Sequence, residues 1–423
     1  MMREPVLITG ARITPIAFVD PPLLNTVGVH QPYALRAIIQ LDTDNGVVGL
    51  GETYADTAHL VRLEAAAQAV TGLDAFGLNA IRDAIDTVLG TLSITGGDGV
   101  AGMITTASTT DRVFSPFEIA CLDVQGKVLG RPVCDLLGGR VRDSVPFSAY
   151  LFYKWAAHPG AQPDEWGEAV DPAGLVRQAR KMIDEYGFEA IKVKGGVFPP
   201  DEEIAGIKAL REAFPELPLR LDPNAAWTVD TSIRVASELD GIVEYLEDPT
   251  PGLDGMAEVA REAKMPLATN MCVVAFDHLM PAVLKDSVQV VLSDHHYWGG
   301  LQRSRLLAGI CDTFEMGLSM HSNSHLGISL AAMVHLAAAT PNLTYACDTH
   351  WPWKHEDVVV SGVLNFVDGA VAVPTGPGLG VQIDEDALAA LHQQYLDCGI
   401  RDRDDTGYMQ SIDPSFENIC PRW

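Results

Sequence analysis

Basic residues are scarce in this 423-residue sequence: 29 Lys and Arg stand against 56 Asp and Glu, a formal net charge of −27. A nucleic-acid partner demands a basic patch that displaces counterions from phosphates, and an anionic membrane surface demands the same, so neither partner is expected. The acidity reads as a charged, solvated surface, and an anionic ligand would need a positive field built locally. Cysteine is also sparse. Cys121, Cys134, Cys272, Cys311, Cys347, Cys398 and Cys420 are odd in number and include no CxxC. That excludes a disulfide framework and fits reduced thiols in a cytoplasmic protein. The N-terminal residues show no basic segment running into a long apolar one, so no signal peptide is expected. No apolar run reaches the roughly 18 residues of a membrane span; Ala331–Thr340 is apolar but short and reads as a buried helix. A GxGxxG after a strand is missing too, which speaks against a doubly wound dinucleotide-binding sheet.

What is present is a 47% apolar chain with two successive patterns. Val6–Phe18 and Leu35–Leu41 have strand composition, Asp44-Asn45-Gly46 is a hairpin turn, and Val47–Leu50 returns. Helical patterning follows to about residue 138, broken by a Gly/Thr-rich stretch near Thr95–Thr110 that reads as a surface loop. Strands followed by helices predict an α+β unit over residues 1–140. Short apolar strands then recur between amphipathic helices: Phe147–Phe152, Ala190–Lys194, Leu217–Leu221, Ile242–Leu246, Pro266–Thr269, Val288–Ser293, Leu318–Met320 and Leu343–Ala346. Such a series predicts an α/β fold, a closed parallel barrel over residues 141–380. Residues 381–423 add one helix, Glu385–Asp397, and a polar tail.

Barrels of this kind place their chemistry at the C-terminal ends of strands. The second strand ends in Lys192-Val193-Lys194, and alternation puts both lysines on one face. Two crowded ammonium groups would lower a lysine pKa toward neutrality. The next three strands end in Asp222, Glu247 and Asn270, one βα unit apart, offering oxygen ligands at one rim height to a hard cation such as Mg²⁺. Asp248 is a rival to Glu247, and Glu244 a weaker one. Asp294 ends the sixth strand and His321 the seventh; a carboxylate on one imidazole nitrogen would leave the other free as a base. His295, His296 and His325 are secondary candidates. His350 follows the eighth strand and could meet an anionic group, while His30 and the Thr26–Tyr33 loop could cover the site.

Lys-x-Lys, then Asp, Glu and Asn on three strands, then an Asp–His pair, resembles the enolase superfamily, and within it the glucarate dehydratase subgroup. The matching segments include Gly28-Val29-His30-Gln31-Pro32-Tyr33, Tyr150-Leu151-Phe152-Tyr153, Asp222-Pro223-Asn224, Ala268-Thr269-Asn270-Met271, Met320-His321-Ser322-Asn323, Asp348-Thr349-His350 and Arg403-Asp404-Asp405. The resemblance implies a modified (β/α)₇β TIM-type barrel, an N-terminal α+β capping domain to which residues 381–423 return, and a homo-oligomer. It implies Mg²⁺ on Asp222, Glu247 and Asn270, with Lys194 and the His321–Asp294 pair as two bases. Lys192 and Asn224 would stabilise enediolate oxygens, and His30, Ser115, Tyr150, Ser322, His350 and Arg403 would bind a diacid sugar. The implied reaction is dehydration of D-glucarate, and of its epimer L-idarate, to 5-dehydro-4-deoxy-D-glucarate. Its alternatives are an epimerase, a dehydratase for another aldarate such as galactarate, or a non-catalytic sugar-acid-binding paralogue. Two places depart from the subgroup pattern: Ser115 stands where Thr is expected, and Gly51-Glu52-Thr53-Tyr54-Ala55-Asp56 is unlike the usual Gly-rich segment.

Overall fold

The computed structural model describes residues 4–93 and 108–423. Most of the stretch near Thr95–Thr110 lies outside the described residues. The first unit holds β1 (Ile8–Val19), β2 (Leu24–Asn25), β3 (Gly28–Val29), β4 (Tyr33–Thr43), β5 (Val48–Tyr54), α1 (Thr57–Val70), α2 (Leu78–Leu89), α3 (Ser108–Leu129) and α4 (Val133–Leu136). An antiparallel sheet runs β1-β4-β5, and the expected turn closes it, with Gly46 in the left-handed region.

Strand alternation gives this cap two faces. Leu35, Ala37, Ile39 and Leu41 of β4 pack with Leu63, Val70 and Phe117 of the helices. Ala34 and Ile38 face the other way and join the barrel core; Arg36 and Gln40 share that face. On β5, a Cβ on Gly51 would stand 2.3 Å from the Pro116 carbonyl oxygen, so α3 lies directly on the strand and only glycine fits. Glu52 and Tyr54 therefore point to the barrel.

The second unit opens with β6 (Ser144–Pro146) and alternates: β7 (Ala149–Phe152), α5 (Pro172–Tyr186), β8 (Ile191–Lys194), α6 (Pro200–Ala213), β9 (Leu219–Asp222), α7 (Val229–Glu238), β10 (Tyr245–Glu247), α8 (Gly252–Glu262), β11 (Leu267–Thr269), α9 (Phe276–Lys285), β12 (Val290–Ser293), α10 (Leu301–Thr313), β13 (Gly317–Met320), α11 (Gly327–Ala338). Strands β7 to β13 form one curled parallel sheet in sequence order. The eighth strand expected at Leu343–Ala346 does not form. That segment still bridges the gap: the Thr344 and Asp348 amides bond the Leu318 and Met320 carbonyls, and Cys347 makes an isolated parallel bridge to Phe147. Its ladder is interrupted because the Ala346 carbonyl accepts from the side chains of Ser319 and Arg220 instead of a strand. No helix among the described residues is long and apolar enough to cross a membrane.

Two short strands, β14 (Phe366–Val367) and β15 (Ala370–Ala372), pair onto β6. Helix α12 (Glu385–Cys398) then lies on β1, where Gln394 donates to the Ala17 carbonyl at 2.9 Å. The polar tail contains an unexpected helix, α13 (Asp405–Ile412), capped by the Asp404 carboxylate on the Gly407 amide. It packs so closely on β3 that a Cβ at Gly28 would meet the Asp405 carbonyl at 2.7 Å.

Cap and barrel meet through two buried glutamates. Glu118 of α3 accepts the Leu301 and Gln302 amides at the start of α10, each at 2.9 Å. Glu52 of β5 accepts the Leu326 and Ser329 amides at the start of α11, each at 2.8 Å. The first amides of a helix lack intrahelical partners and carry partial positive charge, so each carboxylate satisfies them across the seam. Burial pushes the Glu118 carboxyl up to about 7. Burial would raise Glu52 as well, but Arg36 and the amide donors hold it below the usual carboxylate range. Glu118→Ala strands two buried amides and is expected to cost about 2 kcal/mol, seen by calorimetry as a lower Tm; an unchanged Tm would contradict this account of the seam.

Candidate active site

Side-chain alternation on β8 turns Ile191 and Val193 into the core and Lys192 and Lys194 into the barrel. Lys194 is paired in register with Asp222, and Glu247 follows Leu246, which is paired with Leu221. Glu247 pairs with Ala268, so Asn270 lies one side-chain repeat further along the same face.

The lysines do not face each other as the sequence suggested. Lys192 Nζ lies 2.7 Å from Glu247 Oε2, 2.7 Å from Asp348 Oδ2 and 3.6 Å from Asp222 Oδ2. Lys194 Nζ lies 2.7 Å from Asp222 Oδ2 and 2.6 Å from Asn224 Oδ1. Burial works to lower the Lys192 pKa, but Asp348, Glu247 and Asp222 raise it well above the usual value. The expected lowering is reversed because carboxylates, not the second ammonium, are its nearest neighbours.

The donor set fits a hard cation. Burial and the adjacent Asp222 push the Glu247 carboxyl well up, a repulsion that a cation relieves. Asn270 is buried with neither side-chain oxygen nor nitrogen hydrogen-bonded, and an orphaned group of this kind costs about 1–3 kcal/mol without another partner. Asp248 is already engaged: its carboxylate accepts from the Thr269 hydroxyl at 2.5 Å and the Asn270 and Met271 amides at 2.8 and 3.2 Å. Glu244 pairs with Arg220 before β10 begins.

Asp294 and His321 leave the neighbouring strands β12 and β13, and Asp294 Oδ2 lies 3.0 Å from His321 Nδ1. An ionised carboxylate only accepts, so Nδ1 carries the proton and Nε2 is left free. Burial opposes the charge on Asp294, yet His296 and His321 hold its carboxyl well below the usual range. Asp294, His295 and His296 have the spacing of a metal-ligand cluster. Both nitrogens of His296 are taken, however, Nδ1 by Asp294 at 2.8 Å and Nε2 by Arg36 Nη2 at 2.8 Å and Ser329 Oγ at 3.0 Å. A guanidinium at that distance makes the cluster a hydrogen-bond network and not a cation site.

One small cavity is lined by both Lys194 and His321, together with His30, Tyr150, Asn224, Ser322, His350 and Arg403. Lys192, Asp222, Glu247 and Asn270 are not part of that lining. Ser115 does not line it either; its hydroxyl donates to the His295 carbonyl at 2.8 Å. His30 Nδ1 rests on Asp20 at 3.0 Å. His350 Nδ1 is buried without a partner, and burial holds its pKa well below the usual value, so the ring is neutral. Arg403 is braced by Asp405 at 2.7 Å, and its amide by Asp56 at 2.9 Å. His325 bonds the Leu326 carbonyl through Nδ1, and burial lowers its pKa to about 4.

Sequence reasoning missed Asp348, the second carboxylate on Lys192, although it begins the segment that carries His350. It missed Arg36, and it left Glu52 and Tyr54 without roles. Tyr54 accepts from Asn323 Nδ2 at 2.8 Å, beside Ser322. The segment Gly51–Asp56 thus braces the rim through Glu52, Tyr54 and Asp56, and none of its residues lines the cavity.

Residues 14–138 match a family described as mandelate racemase / muconate lactonizing enzyme, N-terminal domain, and residues 174–387 match one described as enolase C-terminal domain-like. A protein of Streptomyces coelicolor named "Probable glucarate dehydratase" is 52% identical over 432 residues, covering all of both chains. The crystal structure of an enolase from Mycobacterium smegmatis complexed with tartrate is 75% identical with a TM-score of 0.96, again over both whole chains. An enolase from Pseudomonas fluorescens with bound magnesium, potassium and tartrate is 50% identical at a TM-score of 0.96, with both chains fully covered.

Asp294→Asn offers His321 an amide donor and favours the opposite tautomer. It is expected to lower kcat about 10⁴-fold for a reaction that uses His321 as base, with the circular dichroism spectrum unchanged. A kcat within tenfold of the parent would remove the pair from the chemistry.

Proposed function

The chain belongs to the enolase superfamily, and from that membership we propose that it dehydrates D-glucarate, and its epimer L-idarate, to 5-dehydro-4-deoxy-D-glucarate. It is a hydro-lyase acting on a small acid sugar, with Mg²⁺ as cofactor. The observation that carries the finer reading is that two bases, Lys194 on β8 and His321 after β13, reach one cavity from well-separated strands. The tartrate held by the relative at 75% identity is a hydroxy-dicarboxylate and supports a diacid substrate.

Asp222, Glu247 and Asn270 would hold the Mg²⁺, which when bound supplies Lewis-acid stabilisation of charge on a substrate carboxylate. Lys194 or His321 Nε2 takes the proton from the carbon next to that carboxylate. The electron pair moves onto the carboxylate oxygens, where the Lys192 ammonium and the Asn224 amide balance it. The pair then returns to form the carbon–carbon double bond as the β C–O bond breaks. His321, protonated at Nε2 by the proton it took, or standing as imidazolium from the outset where Lys194 enters as the free amine and is the base, gives its proton to the departing hydroxyl, which leaves as water, and the enol becomes a ketone. Asp294 stays anionic and stabilises the imidazolium. Arg403, with His30 and the neutral His350, receives the distal carboxylate, a local positive element in a chain of net charge −27. We expect the working form to be a homo-oligomer.

Incubation with Mg²⁺ and a panel of D-glucarate, L-idarate and galactarate is expected to give a 2-keto product fastest from the first two, and EDTA to abolish it. Absence of turnover with every aldarate would defeat the reading. Asn270 makes a third donor without charge, so the set is one negative charge lighter than with a third carboxylate. Asn270→Asp should raise KM for the diacid about fivefold to tenfold; an unchanged KM with Mg²⁺ still bound would show that this neutrality plays no part in admitting the substrate.

A further inference from the structure

His296 lies outside the cavity lining, is buried, and touches neither the proposed metal donors nor Lys194. Its surroundings nevertheless fix its protonation pattern. Arg36 Nη2 stands 2.8 Å from Nε2, and a guanidinium has only donors to offer. Nε2 must therefore accept, and the proton must reside on Nδ1. That N–H faces Asp294 Oδ1 at 2.8 Å, the oxygen that also takes the His296 backbone amide at 2.9 Å. The other oxygen of the same carboxylate is left for His321 Nδ1 at 3.0 Å. An imidazolium at His296 would set two donors against each other at Nε2. Arg36 is itself held by Glu52, Nε to Oε1 at 3.0 Å, and its guanidinium lies 4.5 Å over the Tyr54 ring. The charged and titratable groups around His296 are thus Arg36 on β4, Glu52 and Tyr54 on β5, Asp294 and the His295 ring at 4.1 Å on its own loop, and, more remotely, His59 on α1. Ser329 faces it from α11.

We propose that His296 is a positioning residue for the base. Locked as the Nδ1–H tautomer between Arg36 of the cap and Asp294 of the barrel, it aims the Asp294 carboxylate at His321 Nδ1 and keeps His321 Nε2 toward the substrate. Through Arg36 and His296 the cap thereby reaches the proton-transfer group by side chains that do not line the cavity. This rests on His321 acting as a base, but its first test needs no turnover.

Long-range ¹H–¹⁵N spectra of the Mg²⁺-loaded enzyme labelled at histidine should show one imidazole fixed as Nδ1–H, assigned to His296 by its loss in His296→Gln. A His296 signal of the Nε2–H form would overturn the proposal even if the enzyme turned over normally. Kinetics supply the second test. His296→Leu, with neither donor nor acceptor, should lower kcat about 10- to 100-fold with KM within about threefold. His296→Gln, which can present an amide N–H to Asp294 and a carbonyl to Arg36, should recover most of that loss. A His296→Leu enzyme with parental kcat, or a Gln variant as impaired as Leu, would refute it. If His296→Leu does not fold, the tautomer spectrum of the parent decides. If no aldarate turns over while that spectrum is as expected, the substrate reading fails and the locked tautomer stands.

Discussion

Lys192 carries an ammonium in the middle of the barrel, fully shielded from solvent, and Glu247, Asp348 and Asp222 crowd round it. A buried charge is tolerable only when it is paired, and stripping away one partner leaves an uncompensated ion at a cost of about 3–5 kcal/mol. Those acids in turn cannot all be ionised side by side without cations. The lower lysine and its carboxylates therefore stand or fall together, and this fixes everything above them. Lys194, one side-chain repeat nearer the rim, borrows Asp222 from the same cluster and so reaches the cavity already oriented.

The seam with the cap follows the same rule by different means. Glu118 and Glu52 occupy the open amides of α10 and α11, the two helices that follow the strands carrying Asp294 and His321. Fixing the start of each helix also fixes the loop that precedes it, and those loops hold the Asp294–His321 pair.

Much of this was legible from residue order. Period-two alternation at Lys192-Val193-Lys194 correctly turned both side chains inward, and the regular spacing of Asp222, Glu247 and Asn270 marked successive strand ends. What stayed hidden were partners far along the chain. Nothing near Lys192 announces Asp348, 156 residues away, and the pKa direction was misjudged for want of it. Arg36 looked like an ordinary strand residue until the sheet's second face met His296, 260 residues on. The eighth strand failed for a related reason: side chains from β9 and β13 claim the Ala346 carbonyl, and local composition cannot foresee that competition. Helix α13 escaped notice because it is only 8 residues long and sets just Tyr408 and Met409 against the core, too short a stripe to read.

The bare glycine at position 51 has a consequence for how such chains can be recombined. Because the backbone of α3 lies directly against it, β5 and α3 form one rigid body, and that body carries both Glu52 and Glu118. A loop graft confined to 51–56 would alter the base's supports while leaving their mounting behind. The smallest exchangeable module for redirecting this enzyme is therefore the strand, the helix and the two helix starts they hold, moved as a single cassette.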